Sequence, residues 1–246
     1  MFRHQGKKRT YAHNLRLAIL LSFVAGITNI TGLLALKTLT TNVTGHFAYF
    51  AEEISKKDFS SAITFFVFTL FFLFGSFSAN FITEITLKKY PHLGHVIPIS
   101  FEMVLLCTVG FLGKVSDIST LEGKWIAFTL LFTMGIQNSL VTKISQSTVR
   151  TTHLTGLFTD LGIELSQLFF YKKTEEKKKL KTSIYLRLFI IGFFFVGCVL
   201  GGYLYSFIKI KTLFIGAFFL LIALLFDYLR FQFFILKRKK FKQRII

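Results

Sequence analysis

The sequence predicts an all-α, polytopic membrane protein of about six transmembrane helices in two internal repeats with Thr-Gly-interrupted segments. Three observations lead there. Of the 246 residues, 52% are hydrophobic and 33 are Phe while 17% are charged, a composition suited to lipid rather than water. Six windows approach or reach the ~20 apolar residues a helix needs to cross the hydrocarbon core. A pattern in the first half of the chain recurs, in order, in the second.

The windows are Leu17 to Leu36, Ser60 to Ile82, His95 to Gly113, Trp125 to Thr142, Tyr185 to Ile208 and Thr212 to Tyr228. A basic stretch precedes Leu17, as in a secretory signal, but the apolar run continues past any small-residue cleavage site and stays a span. A basic N-terminus at 1–16 and a basic tail at 231–246 then flank a membrane domain at 17–230, with repeat one about 17–113 and repeat two about 123–230. Thr40 to Ser55 and Thr151 to Phe170 are moderately apolar and carry carboxylates. Full crossing by both would give eight spans and parallel repeats; three crossings per half give an inverted pair.

Charge fixes the orientation. The formal net charge is +18, and 19 of the 30 Lys and Arg residues lie in Arg3–Arg16, Lys172–Arg187 and Arg230–Arg244, beside the apolar runs. A nucleic-acid binder spreads such residues over a folded face among base-reading side chains, so no nucleic acid is expected. Basic flanks are what the cytoplasmic side of a spanning protein carries. This puts both termini in the cytoplasm and anionic membrane lipids among the partners. Cys107 and Cys198 sit singly in apolar runs, which supports neither disulfide nor zinc site.

The repeat is the most specific signal. Gly26-Ile27-Thr28-Asn29 recurs as Gly135-Ile136-Gln137-Asn138, and Thr40 to Ser55 matches Thr151 to Ser166 at seven of sixteen ungapped positions, Thr44-Gly45 and Thr155-Gly156 among them. Further on, Gly75-x-x-x-Ala79 corresponds to Gly197-x-x-x-Gly201, a close-packing groove. Each half reads as a span ending in Gly-Ile-x-Asn, a Thr-rich break, a short helix and two more spans. At the break Thr hydroxyls cap free backbone groups and Gly relieves backbone sterics. The same geometry serves either a structural corner or, through the free N–H groups of the next helix, a site for an anionic group.

Val43-Thr44-Gly45-His46 resembles the Met-Thr-Gly-Asn stretch, and Thr151 to Gly156 with Thr159-Asp160-Leu161 resembles the Thr-Thr-x-Leu-Thr-Gly-x-x-Thr-Asp-Leu stretch, of the YoaK family of bacterial multi-pass membrane proteins. Gln137-Asn138 resembles that family's Gln-Asn pair, and the resemblance covers roughly residues 15 to 230. It implies an inner-membrane protein of about six spans with no established activity. The chain departs from the family at Asn29, where Asp is typical, and at His46, where Asn is typical.

Ionisable groups at membrane depth cost ~2.5–3.5 kcal/mol on insertion scales and usually face a cavity or partner. Glu102 stands one turn after Pro98 in the third span. It is either a proton-coupling acid or a carboxyl hydrogen-bonded to another helix. Asp160 and Glu164, four apart, share a helix face, where they bind a cation or relay protons, or lie in water on an amphipathic helix. Glu52 reads as part of a solvated turn near Lys56 and Lys57. Asn29 and Asn138 are equivalent and read as packing or substrate contacts. His46 and His153 lack a metal-ligand spacing, and Asp227 reads as a snorkelling pair with Arg230.

No nucleophile elbow, P-loop, dinucleotide fingerprint or His-Glu-x-x-His occurs, so neither catalytic residues nor cofactor is expected and the chain is read as no enzyme. The expected function is a permease for a small anionic or zwitterionic solute, with its site between the repeats. The substrate-binding candidates are Thr41, Thr44, Gly45, Thr152, Thr155, Gly156, Asn29 and Asn138. Glu102, Asp160 and Glu164 are the coupling candidates. A homo-oligomer is compatible with this reading. The alternatives are a membrane enzyme acting on a lipid-like substrate, with Glu102, His153 and Asp160 as its constellation, and a scaffold without transport.

Overall fold

The computed structural model describes residues 10–90, 93–113, 118, 120–171 and 173–243, excepting the side chains at 230, 231 and 234–243. The extreme N-terminus and most of the basic tail's side chains lie outside these. Among the described residues eight α-helices follow in order: α1 (Tyr11–Leu36), α2 (Val43–Ser55), α3 (Phe59–Lys89), α4 (Val96–Leu112), α5 (Leu121–Ser145), α6 (Leu154–Phe170), α7 (Thr174–Ile208) and α8 (Leu213–Gln243). A 3-10 turn at Lys209–Thr212 joins the last two.

Among the described residues four stretches are long and apolar enough to cross a membrane: Tyr11–Leu36, Phe59–Lys89, Leu121–Ser145 and Thr174–Leu229. The last is 56 residues long and contains α7 and part of α8, while α4 is a shorter apolar helix of 17 residues. This is a membrane-type helical protein. α1 and α5 are the inner helices, with 67% and 61% of their apolar windows buried against 28% for α3. The outer surface of α3 exposes Phe66, Leu73, Phe77 and Phe81, the side chains a lipid environment accepts.

Two parallel crossings hold the bundle together. In α1 against α7, a Cβ on Gly26 would collide with the carbonyl of Phe194, and one on Gly197 with the carbonyl of Phe23. In α3 against α5, a Cβ on Gly75 would strike the carbonyl of Phe132, and one on Gly135 the carbonyl of Phe72. Glycine at these four places lets backbones touch, which is how helices gain packing energy where lipid offers no hydrophobic drive. The inner pair runs antiparallel: the amide of Gln137 donates to the carbonyl of Leu21 at 3.1 Å, and Gly32 faces Leu130. α4 and α8 are also antiparallel, with Gly110 beside Phe214 at one end and His95 paired with Asp227 at 3.4 Å at the other.

α1 and α5 end on left-handed residues other than glycine. α1 stops at Lys37 (φ 56°) and α5 at Gln146 (φ 51°), left-handed residues whose N–H groups return to the last turn's carbonyls. Gly-Ile-x-Asn therefore lies inside each helix rather than at its end, and Thr44-Gly45 and Thr155-Gly156 fall in the first turns of α2 and α6. The charged stretch that precedes the apolar run from Tyr185 is itself helical from Thr174. Glu175 and Glu176 occupy its first turn, where carboxylates favour the helix dipole.

Candidate functional site

The two Thr-rich breaks lie at opposite ends of the antiparallel α1–α5 pair. From Leu130, level with Gly32, α5 continues fifteen residues to Ser145, about 22 Å at 1.5 Å per residue. The expectation that both breaks line one shared chamber is corrected here, because antiparallel helices put equivalent C-termini on opposite faces.

At the first break, Oδ1 of Asn29 accepts from both the N–H of Thr41 (3.2 Å) and its hydroxyl (3.0 Å), tying the loop to the helix it left. Asn42 caps α2, its Oδ1 accepting the N–H of Gly45 at 3.0 Å. That side chain stands where a Cβ on Gly45 would be, which explains the glycine. His46 is buried with a ring nitrogen 2.9 Å from the carbonyl of Leu39 and rings of Phe65 and Phe68 at centroid distances of 6.3 and 5.2 Å. Thr44 is exposed.

The second break is anchored differently. The hydroxyl of Ser145 accepts the N–H of Val149 at 3.0 Å and lies 3.2 Å from its carbonyl, and Val149 is buried. The next residue, Arg150, is exposed, and neither a carboxylate nor a hydrogen-bond acceptor pairs with it among the described residues. The ring of His153 lies over Gly156 as Asn42 lies over Gly45. Two adjoining cavities of about 420 and 370 Å³ share Arg150 and His153. The larger is also lined by Ser147, Thr148, Gly156, Asp160 and Arg187, the smaller by Asn138, Ser139, Thr142 and Lys143.

Arg187 organises the carboxylates of α6. Its Nε and Nη2 donate to Glu164 at 2.9 and 3.0 Å, its Nη1 to Asp160 at 2.8 Å, and the hydroxyl of Ser183 donates to Glu164 at 2.7 Å. Lys143 is likewise held, by Glu84 and by Asn80. Glu102 is fully buried in α4, and among the described residues neither carboxylate oxygen has a hydrogen-bond partner. Asp227 pairs with His95, the residue just before α4.

Of the predicted site residues, the structure gathers Asn138, Gly156 and Asp160 around the double cavity, with Thr152 and Thr155 in the adjoining loop and turn. Asn29, Thr41, Thr44 and Gly45 belong to the far end, and Glu164 borders a separate groove with Gln167 and Tyr171. Arg150 and Arg187 were missed. An arginine inside the apolar run Tyr185 to Ile208, with two acids at helical spacing upstream, was the available signal for Arg187. Among the described residues no three His, Cys, Asp or Glu side chains gather as metal ligands.

A bundle of apolar helices crossing on glycines, with a polar recess at one end, defines a multi-pass helical membrane protein. Residues 17–226 match the family described as a protein of unknown function, DUF1275. The chain belongs to that family, which is the YoaK family. No curated protein and no solved structure matches it.

Proposed function

We propose that the chain is a carrier for a small solute in the bacterial inner membrane. Six helices, α1, α3, α4, α5, α7 and α8, cross in two inverted repeats with both termini cytoplasmic, while α2 and α6 lie at opposite faces. The helix pairing supports this: the first helix of each half packs on the third helix of the other, through Gly26 with Gly197 and through Gly135 with Gly75. These glycines are the residues that the internal repeat makes equivalent.

The observation that carries the carrier reading is the inequality of the two breaks. One is latched by Asn29 and filled by aromatic rings; its equivalent opens into the recess around Asn138, Arg150 and His153. An inverted-repeat carrier resting with one face open has this asymmetry, and exchange of the two arrangements provides alternating access. Glu102 supplies the coupling group, since an unpaired acid in the bundle interior is retained at a cost. The partners are lipid and solute, with further copies of the chain compatible, and neither cofactor nor catalysis nor nucleic acid enters the cycle.

The test is solute uptake into proteoliposomes by wild type and by Glu102→Gln. Uptake that the substitution uncouples from a proton gradient supports the proposal. Equal flux removes the acid's role, and absence of flux for every solute class tried leaves a scaffold.

A further inference from the structure

We propose that the recess at the second break takes a zwitterion of the amino-acid type, its carboxylate at Arg150 and its ammonium at Asp160; this rests on the carrier reading of that site and names its substrate class. Three cations line the double cavity, and they are not equivalent. Lys143 is engaged by Glu84 and Asn80, and Arg187 is forked onto Glu164 and Asp160. Arg150 alone among the three is without a carboxylate, and its position after the buried Val149 anchor fixes it at the recess they share.

The recess also holds an open acceptor. Asp160 meets Arg187 through Oδ2 only, which leaves Oδ1 without a partner among the described residues, and its side chain is 51% exposed. Arg150 and Asp160 line the same cavity of about 420 Å³, within the ~300–1,000 Å³ of ordinary ligand sites. The electrostatic balance decides between solute classes. The three cations are matched by three carboxylates, Glu84, Glu164 and Asp160, so these side chains leave no excess of positive charge to hold a multiply charged anion. A solute that is neutral as a whole but charged at both ends fits one unanswered guanidinium beside one half-used carboxylate. Asn138, Ser139 and Thr142 in the adjoining cavity then offer hydrogen bonds to a polar side arm.

The experiment measures melting temperature of the purified full chain in detergent with three pools: the twenty protein amino acids, the same compounds N-acetylated, and the same compounds as carboxamides. Stabilisation by the free pool alone is expected, since binding to the folded state raises apparent stability. Arg150→Gln and Asp160→Asn should each weaken binding roughly 10- to 100-fold, as loss of one charge-assisted contact does, and Arg150→Lys should restore part. Arg150 is exposed and unpaired, so its variants melt as wild type without solute. Equal stabilisation by the N-acetylated or carboxamide pool, or none by any pool, overturns the proposal. Flux of a solute lacking an ammonium would reject the zwitterion and keep the carrier; binding without flux would do the reverse.

Discussion

At the first corner α2 lies on α3 through rings, and at the second α6 lies on α7 through charges, although Thr-Thr-x-x-Thr-Gly opens both. His46, Phe65, Phe68 and Tyr49 fill the first. Position for position, Leu157 stands where His46 does, and Asp160 where Tyr49 does. The second is held by the Arg187 fork and leaves a recess beside it. What differs is what the third helix presents: Phe65 from α3, Arg187 from α7. One motif therefore makes a latched, aromatic corner or an ionic one, depending on a few side chains of the helix that follows.

Removing the ionic tie should cost most. Arg187→Ala leaves Asp160 and Glu164 facing each other one turn apart, with Glu164 only 13% exposed. Breaking a buried pair costs ~3–5 kcal/mol, and the exposure of Asp160 lowers this to about 2–3 kcal/mol, read from melting in detergent. Adding Glu164→Gln should recover part of the loss. If Arg187→Ala melts like wild type, the second corner is not held by charge and the contrast fails. Phe68→Ala tests the other side. Phe68 is fully buried against His46, Phe65 and Phe128. Lipid removes most of the transfer contribution, leaving a cavity of roughly 100 Å³ at ~24 cal/mol per Å³, about 2 kcal/mol. The same substitution at exposed Phe158 on α6 should cost almost nothing.

How much of this could be read beforehand depends on the length scale of the interaction. Apolar runs of helix length placed every long helix, because the requirement for ~20 apolar residues is local. The start of α7 was misplaced since Glu and Lys are good helix formers and a charged run is compatible with loop or helix alike. Chain reversal at Lys37 and Gln146 left no trace, because neither is the glycine that usually adopts such angles. The acids of α6 were found by their spacing, but their partner lies 23 and 27 residues downstream. Asp227 meets His95, just before α4 and far away in sequence, a contact that no local spacing indicates, while the side chain of Arg230 lies outside the described residues. Local chemistry was legible; pairing across the bundle is set by the tertiary fold.

The latch gives a smaller effect with a sharper contrast. Asn29→Ala frees Thr41 of two hydrogen bonds and should lower stability by about 1 kcal/mol. Asn138→Ala, at the equivalent position, loses no hydrogen bond from its side chain among the described residues and should melt within error of wild type. Equal losses in the two variants would show that Asn138 is latched as Asn29 is, and the inequality on which the carrier reading rests would disappear.

The smallest expected effect concerns acidity at the first corner. Burial holds the His46 imidazole below its ordinary range, with the contact to the Leu39 carbonyl opposing this less strongly. The unfolded chain therefore takes up a proton that the folded chain refuses as pH falls through ~6.5. Unfolded molecules bind the extra proton, so stability from this group is complete above that range and declines below it, until pH reaches the depressed folded value. The slope cannot exceed one proton, about 1.4 kcal/mol per pH unit. His46→Leu, which copies Leu157 of the second corner, should remove the decline between pH 7.5 and 5.5 and leave melting at pH 7.5 little changed. An unchanged acid response in that variant would place the titrating group elsewhere. Loss of folding at pH 7.5 would mean that the contact to Leu39, rather than the ring packing shared with Phe65 and Phe68, is what the first corner requires.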